Sequence, residues 1–301
     1  MRIVVTGTEG QVVRSLVERA ARHGDIEIIA LGRPDLDLAV PSTVANAIAE
    51  AKPDIVVSAA AYTAVDQAED EPELAHAINA LGAGAVAQAA ADLGVPVIHL
   101  STDYVFAGDG EAPYIETDAM GPQGVYGRTK LEGEAAVIAA NPRHIILRTA
   151  WVYSPFGKNF VKTMLRLAET RDQVSVVSDQ WGNPTSAIDI ADAITEAARR
   201  IDVEPSFTGY GIYHLAGTGN INWSGFARAI FASSRNNGGP FAEVADIASA
   251  DYPTKAKRPF NSRLSTDKFF KVFGWRAPDW QVSTEATVSR LLAEAKGRDA
   301  S

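Results

Sequence analysis

The chain contains no cysteine among its 301 residues. A disulfide framework, a thiolate metal site and a cysteine nucleophile are therefore excluded. Long apolar runs are also missing, since no stretch approaches the length needed to cross a bilayer. Residues 1–6 read as the start of a strand and not as a signal peptide. We expect a cytoplasmic protein with no membrane partner.

Positive charge is scarce as well. The chain has 28 Lys and Arg residues against 37 Asp and Glu residues, a net charge of −9, and no basic cluster that would follow a phosphate backbone. We expect no nucleic-acid partner. The histidines are His23, His76, His99, His144 and His214. They lack metal-ligand spacing, and His99 and His214 lie in strand-like runs where core histidines are usual, so we expect no catalytic metal.

Short β-rich runs alternate with helical patterns through the first half of the chain. The predicted strands are 3–6, 26–31, 54–59, 95–100 and 144–149, and the predicted helices are 11–22, 42–51, 73–91 and 127–140. Such alternation predicts an α/β fold with a doubly wound parallel sheet of the Rossmann type.

The second half of the chain is less regular. It predicts helices at 159–169, 186–200 and 223–234 and strands at 174–177 and 212–215. The helix from 186 and the strand from 212 are expected to return to the main sheet. We therefore predict a dinucleotide-binding domain of residues 1–153 plus about 186–216. The remainder, about 154–185 plus 217–301, is predicted to form a smaller, discontinuous α/β substrate domain, with a ligand cleft between the two.

A glycine turn follows the first predicted strand and opens a helix, which is the context of a dinucleotide fingerprint. Gly7 permits the tight turn, Gly10 lets the backbone approach a pyrophosphate, and the helix N-terminus attracts the anion. Val13 stands where a third glycine would allow close packing, so the helix is expected to lie slightly further out. A glycine-rich turn without any ligand is the alternative.

The second strand ends without an acidic residue that would accept the 2′-hydroxyl of the adenosine ribose, and Arg33 lies there instead. We hypothesise that Arg33 tolerates or prefers a 2′-phosphate, which indicates NADPH or both cofactors. A solvated surface arginine is the alternative.

Tyr126 and Lys130 are four residues apart, so on a helix their side chains share one face. The ammonium is expected to favour the phenolate and lower the pKa of Tyr126 from its reference value near 10. Thr102, at the end of a predicted strand, can hydrogen-bond a substrate oxygen. The set predicts protonation of a ketone while a nicotinamide delivers hydride.

Together these residues resemble the extended short-chain dehydrogenase/reductases that act on nucleotide sugars. The motifs that carry the resemblance run nearly end to end: 59–66 (AAAYTAVD), 101–106 (STDYVF), 125–130 (VYGRTK), 148–153 (RTAWVY) and 258–264 (RPFNSRL). The resemblance implies NADPH- or NADH-dependent reduction of the 4-keto group of a dTDP-sugar, dTDP-4-dehydro-L-rhamnose, to dTDP-L-rhamnose.

The resemblance also implies roles for individual residues. Tyr126 would be the general acid, Lys130 would bind the nicotinamide ribose, and Thr102 would orient the carbonyl. The implied cofactor contacts are Gly7, Gly10, Gln11, Val12, Arg33, Asp37, Leu38, Ala60, Ala61, Tyr62, Tyr126 and Lys130. The implied substrate contacts are Thr102, Asp103, Tyr104, Trp151 and Asn261.

Some members pair through magnesium held by glutamates on the first helix, where Ser15 here offers no carboxylate. We expect a monomer or a weak homodimer. Two other functions remain open on the sequence. One is a nucleotide-sugar epimerase or dehydratase that keeps its nicotinamide bound, and the other is a non-catalytic nicotinamide-binding regulatory subunit, against which the intact Thr102, Tyr126 and Lys130 argue.

Overall fold

Six parallel strands form the central sheet of the protein. The computed structural model describes residues 1–22 and 24–299, so His23 and residues 300–301 lie outside the described part. The sheet strands are β1 (Arg2–Thr6), β2 (Glu27–Leu31), β3 (Ile55–Ser58), β4 (Val97–Thr102), β5 (His144–Thr149) and β10 (Gly211–His214). Their order is β10-β5-β4-β3-β1-β2, so the predicted doubly wound parallel sheet is confirmed.

Helices cover both faces of this sheet. They are α1 (Gln11–Ala20), α2 (Val44–Ala51), α3 (Val65–Ala68), α4 (Pro72–His76), α5 (Ala83–Asp92), α6 (Val125–Ala140) and α8 (Ala187–Val203). Side chains of β1 alternate between the faces: Ile3 and Val5 pack with α1 and α8, whereas Val4 packs with α2 and α5. Because both faces are covered, the middle of each strand is mostly apolar, and the polar residues of β4, with Arg148 and Thr149 of β5, are buried with it.

The predicted helix 73–91 is divided into three segments. A π-helical stretch, Ala77–Gly82, separates α4 from α5. A Cβ added at Gly133 of α6 would lie 2.1 Å from the Asn79 carbonyl oxygen, so α6 presses its backbone against this stretch. The Asn79 side chain in turn accepts a hydrogen bond from the Tyr62 N–H at 2.8 Å. The π-helical stretch therefore carries Asn79, whose side chain holds the loop that follows β3.

The second half of the chain builds another core. Its elements are β6 (Val152–Tyr153), α7 (Phe160–Ala168), β7 (Gln173–Val177), β8 (Trp181–Gly182), β9 (Thr185–Ser186), β11 (Ile221–Asn222), α9 (Trp223–Asn236), β12 (Glu243–Ile247), α10 (Asp267–Phe273) and α11 (Trp280–Asp299). Asparagine side chains cap two of these helices: Asn159 accepts from the Lys162 N–H, and Asn222 accepts from the Gly225 N–H. β7 pairs with β12 in parallel.

Two elements of the second half return to the sheet, as expected. β10 pairs with β5, and α8 packs its buried face in the same core as α1. The proposed domain division at 153, 186 and 216 stays a prediction. Among the described residues, no helix is long and apolar enough to cross a membrane.

Candidate active site

A cavity of about 1150 Å³ opens at the carboxyl ends of β1, β3 and β4. Sixteen of the seventeen predicted site residues line it: Gly7, Gly10, Gln11, Val12, Arg33, Asp37, Leu38, Ala60, Ala61, Tyr62, Thr102, Asp103, Tyr104, Tyr126, Lys130 and Trp151. The exception is Asn261. The strand order reverses between β1 and β3, which is where open α/β sheets bind their ligands.

The glycine turn supplies an anion site at one end of the cavity. Gly7 has φ +94°, a conformation that favours glycine. Gly10 is the N-cap of α1, and no side chain caps the helix, so the N–H groups of its first turn are left without a side-chain partner. Gly10, Gln11 and Val12 line the cavity. Val13 is buried beneath the turn, and its Cγ2 atom would lie 3.6 Å from a Cβ at Gly7. The turn fits the pyrophosphate of a dinucleotide.

Arg33, Asp37 and Leu38 line the cavity beyond this turn. The Arg33 side chain is exposed and makes no hydrogen bond or ion pair with any residue that the structure describes. Asp37 accepts a hydrogen bond from the Ala39 N–H at 2.9 Å, which fixes the loop. A free guanidinium here is available to a 2′-phosphate.

The loop after β3 forms the wall opposite. The Thr6 hydroxyl oxygen accepts hydrogen bonds from the backbone N–H groups of Ala59 and Ala60, each at 3.0 Å. The Tyr62 hydroxyl donates to a Glu71 carboxylate oxygen at 2.7 Å. These bonds hold residues 59–62 beside the cavity.

Thr102 and Tyr126 meet at the floor of the cavity, where β4 ends and α6 begins. Both side chains line the cavity, and the Thr102 hydroxyl, which donates to the Asp103 carboxylate at 3.0 Å, lies close enough to the phenol to influence its pKa. Thr102 is buried, and its Oγ1 atom also accepts from the Tyr104 N–H at 3.3 Å. The cavity therefore has two hydroxyls at its floor, which is the chemistry that a carbonyl oxygen held for protonation requires.

The expectation that Lys130 lowers the pKa of Tyr126 is wrong. Burial raises the pKa of Tyr126, the Thr102 hydroxyl opposes that rise, and Asp103 and Tyr104 add to it. Lys130 is not among the groups that shift this pKa, and its ammonium turns toward β4, where it donates to the Leu100 carbonyl at 2.7 Å. The phenol is thus held protonated, which is the form that a general acid needs.

Lys130 is itself perturbed. It is 2% exposed, and burial lowers its pKa to about 8, opposed by the charge of Glu134. Its Nζ atom also lies 3.3 Å from Nε2 of His99. His99 is buried, as expected of a core histidine, but its contact with Lys130 was not expected.

Glu134 and Arg148 form a buried ion pair behind the site, which the sequence reasoning missed. The Arg148 guanidinium donates to both Glu134 carboxylate oxygens, at 2.9 and 2.7 Å, and the Ser101 hydroxyl donates to one of them at 2.5 Å. Glu134 follows Lys130 by one helical turn, a spacing that places both on one face of α6. The four-residue spacing of Lys130 and Glu134 could have indicated from the sequence that Glu134 lies beside the site.

Asp103, Tyr104 and Trp151 line the substrate side. Burial raises the pKa of Asp103 to about 6, opposed by the hydroxyls of Ser262 and Thr102. The Tyr104 ring packs edge-on to that of Tyr126, with centroids 5.5 Å apart.

Trp151 has an unusual backbone conformation, with φ +49°. Its ring stacks on Trp223, with centroids 3.6 Å apart. A non-glycine residue in this region is strained, and such strain often marks a functional position.

Asn261 is the predicted site residue that the structure places elsewhere. Its amide nitrogen donates to the Ala112 carbonyl at 2.7 Å, and its amide oxygen accepts from the Arg263 side chain at 2.7 Å. Asn261 is 4% exposed and does not line the cavity. Its side chain holds two segments of the chain together.

Metal-ligating side chains do not gather in groups of three or more within residues 1–22 and 24–299. Ser15 of α1 is buried, and its hydroxyl donates to the Gln11 carbonyl at 2.8 Å.

Comparison with known proteins places this geometry in a family. The RmlD substrate binding domain family matches residues 1–293. A dTDP-4-dehydrorhamnose reductase of Sinorhizobium fredii is 54% identical over 296 residues, covering 98% of this chain and 99% of the relative. A Clostridium acetobutylicum dTDP-4-dehydrorhamnose reductase has a similar crystal structure, with TM-score 0.89, 35% identity and coverage of 97% and 100%.

The Bacillus anthracis dTDP-4-dehydrorhamnose reductase, solved in complex with NADP, has TM-score 0.87 and 34% identity, and the match covers 95% of this chain and 98% of that one. The expectation of an extended short-chain dehydrogenase/reductase is therefore confirmed. This chain belongs to the RmlD family, that of the dTDP-4-dehydrorhamnose reductases.

Proposed function

We propose that this protein catalyses the NADPH-dependent reduction of the 4-keto group of dTDP-4-dehydro-L-rhamnose, giving dTDP-L-rhamnose. The observation that carries the proposal is the pair of hydroxyls, Thr102 and Tyr126, that lie at the floor of a cavity able to hold a dinucleotide. Relatives that match over nearly their whole length bear the name of this activity.

The nicotinamide, when bound, supplies the hydride that becomes the new hydrogen on C4. Thr102 holds the C4 oxygen by a hydrogen bond, and Tyr126 gives that oxygen its phenolic proton as negative charge develops there. The C4 carbonyl thus gains a hydride on its carbon and a proton on its oxygen, and becomes the hydroxyl of the product. Tyr126 must then regain a proton before the next turnover.

Lys130 contributes by position and charge. Two of its three N–H donors point at β4, toward Leu100 and His99. The third is free to donate to a ribose hydroxyl of the cofactor, and the buried positive charge lies one helical turn from the phenol. Gly7, Gly10 and the first turn of α1 would hold the pyrophosphate.

The substrate is assigned to the side of the cavity formed by Asp103, Tyr104 and Trp151. Residues 154–185 and 217–301 are proposed as the sugar-nucleotide domain. Asn261, within that region, joins the backbone at Ala112 and so supports the substrate side. We propose a monomer or weak homodimer in the cytoplasm.

The test is NADPH oxidation by the purified protein with dTDP-4-dehydro-L-rhamnose, with the product identified by mass spectrometry and nuclear magnetic resonance. The proposal expects one NADPH consumed for each dTDP-L-rhamnose formed. A protein that purifies with tightly bound nicotinamide and consumes none during turnover would be an epimerase or dehydratase. A protein that binds NADPH and turns over no sugar nucleotide would be a regulatory subunit.

A further inference from the structure

His99 is a buried titratable group that has no role of its own in the proposed reaction. It lies on β4, is 1% exposed, and faces Lys130 across the gap between the sheet and α6. Its Nε2 atom is 3.3 Å from the Lys130 ammonium, and its Nδ1 atom is 3.0 Å from the Ser58 hydroxyl on β3. The imidazole therefore bridges the neighbouring strand and the lysine.

The chemistry of these contacts fixes the tautomer. Burial, and then the charge of Lys130, lowers the pKa of His99 well below its usual value, so the ring is neutral. An ammonium has three donors and no acceptor, so Nε2 must accept from Lys130. The ring proton is then on Nδ1 and is donated to the Ser58 oxygen. Ser58, His99 and Lys130 thus form one directed chain of hydrogen bonds.

We propose that His99, oriented by Ser58, is a positioning residue that holds the Lys130 ammonium with one N–H free for the cofactor. The Leu100 carbonyl fixes one donor of Lys130, and His99 fixes a second. With both fixed, the third donor has a single direction. This inference rests on the proposed function, because it assigns Lys130 its role toward NADPH.

The other charged group that faces Lys130 is Glu134, from its own helix, and Glu134 is neutralised by Arg148 on β5. Neither of these takes the place of His99, since the Lys130 ammonium bonds to His99 and Leu100 and makes no hydrogen bond to Glu134 in the described structure, and a guanidinium is not an acceptor. Removing the imidazole therefore leaves the ammonium with one fixed donor instead of two. Its positive form is then less stabilised, and Lys130 loses its proton at lower pH.

The experiment compares His99→Leu, His99→Gln and Ser58→Ala with the wild type, each as the full chain. NADPH affinity is measured by fluorescence between about pH 6 and pH 10, together with kcat/KM for NADPH. For His99→Leu we expect weakening of about 10- to 100-fold, the range for losing a hydrogen bond to a charged group. We also expect the alkaline fall in affinity to move to lower pH.

His99→Gln offers an amide oxygen to Lys130 and should restore most of the affinity and the alkaline limit. Ser58→Ala should weaken binding less than His99→Leu, with a shift in the same direction. Wild-type affinity and pH dependence in His99→Leu would overturn the inference, as would equal losses in His99→Leu and His99→Gln without a pH shift. If His99→Leu does not fold, an unshifted pH profile in Ser58→Ala overturns it.

The binding measurement does not depend on sugar turnover. A wild type that binds NADPH but reduces no 4-keto sugar would refute the proposed function and leave the His99 result readable.

Discussion

At the adenine end of the cavity, Arg33 presents an exposed guanidinium without a protein partner in the described structure. A 2′-phosphate on the cofactor would give the guanidinium an anionic partner, whereas a 2′-hydroxyl would not. Arg33→Ala is expected to raise the KM for NADPH by about tenfold, the effect of losing one charge-assisted hydrogen bond at a solvated site. The KM for NADH should change less than about twofold.

Steady-state kinetics with both cofactors check this prediction. Arg171→Ala, an exposed arginine that does not line the cavity, is the matched control and should leave both constants unchanged. Equal increases for NADPH and NADH in Arg33→Ala would refute the assignment of a 2′-phosphate contact.

Lys130 sets the alkaline limit of cofactor capture. Burial lowers its pKa from 10.5 to about 8, so the ammonium is present below that pH and is lost as the pH rises through it. Because the charged form is the better donor to the cofactor, kcat/KM for NADPH should fall above about pH 8, approaching tenfold per pH unit. A profile that stays level to about pH 10 would show that the charge of Lys130 is not needed.

For single residues, the sequence predicts contacts that depend on local spacing and does not predict contacts with distant elements. The pattern of Thr102, Tyr126 and Lys130 predicted which side chains meet, because helical spacing and strand ends are local properties. It did not predict the direction of the Lys130 ammonium, since the Leu100 carbonyl and His99 belong to another element. The partner of Asn261 was not predicted for the same reason, since the Ala112 carbonyl is 149 positions away.

At the scale of elements, α6 is held against the π-helical stretch by a small residue. A Cβ at Gly133 would meet the Asn79 carbonyl oxygen at 2.1 Å, so Gly133→Ala must push the two backbones apart. We expect it to lower the free energy of unfolding by about 1–3 kcal/mol, despite the better helix propensity of alanine. The midpoint of urea unfolding measures this.

Gly297→Ala on α11 is the control, because a Cβ there meets no described atom within 4 Å. It should leave stability unchanged or raise it by up to about 1 kcal/mol. A Gly133→Ala midpoint equal to that of the wild type would show that α6 is free to move away from Asn79.

Most helices and strands of the first half were predicted from the sequence, with bounds that differ from the observed ones by a few residues. The run 144–149 matches β5, and the start of α1 at Gln11 follows from the glycine turn. The division of the predicted helix 73–91 did not follow, because alanine-rich sequence favours an unbroken helix. The π-helical stretch depends on contact with α6, and no local pattern carries that information.

Across the whole molecule, residues 255–258 are tied to α3 and to the turn that follows it. Arg258 pairs with Asp66, and the Asp66 carboxylate also accepts from the Ala256 N–H. Lys255 pairs with Asp70. The motif 258–264 was recognisable in the sequence, but its partners were not, since pairs nearly 200 residues apart leave no periodic signal.

In the proposed reaction the Tyr126 hydroxyl delivers the proton as hydride arrives at the substrate carbon. Tyr126→Phe removes that hydroxyl and keeps the ring packed against Tyr104. The most direct measurement is kcat for NADPH oxidation with dTDP-4-dehydro-L-rhamnose, wild type against Tyr126→Phe, at saturating cofactor. We expect kcat to fall by about 10²- to 10⁴-fold in Tyr126→Phe, with NADPH affinity retained. Turnover equal to that of the wild type would contradict it.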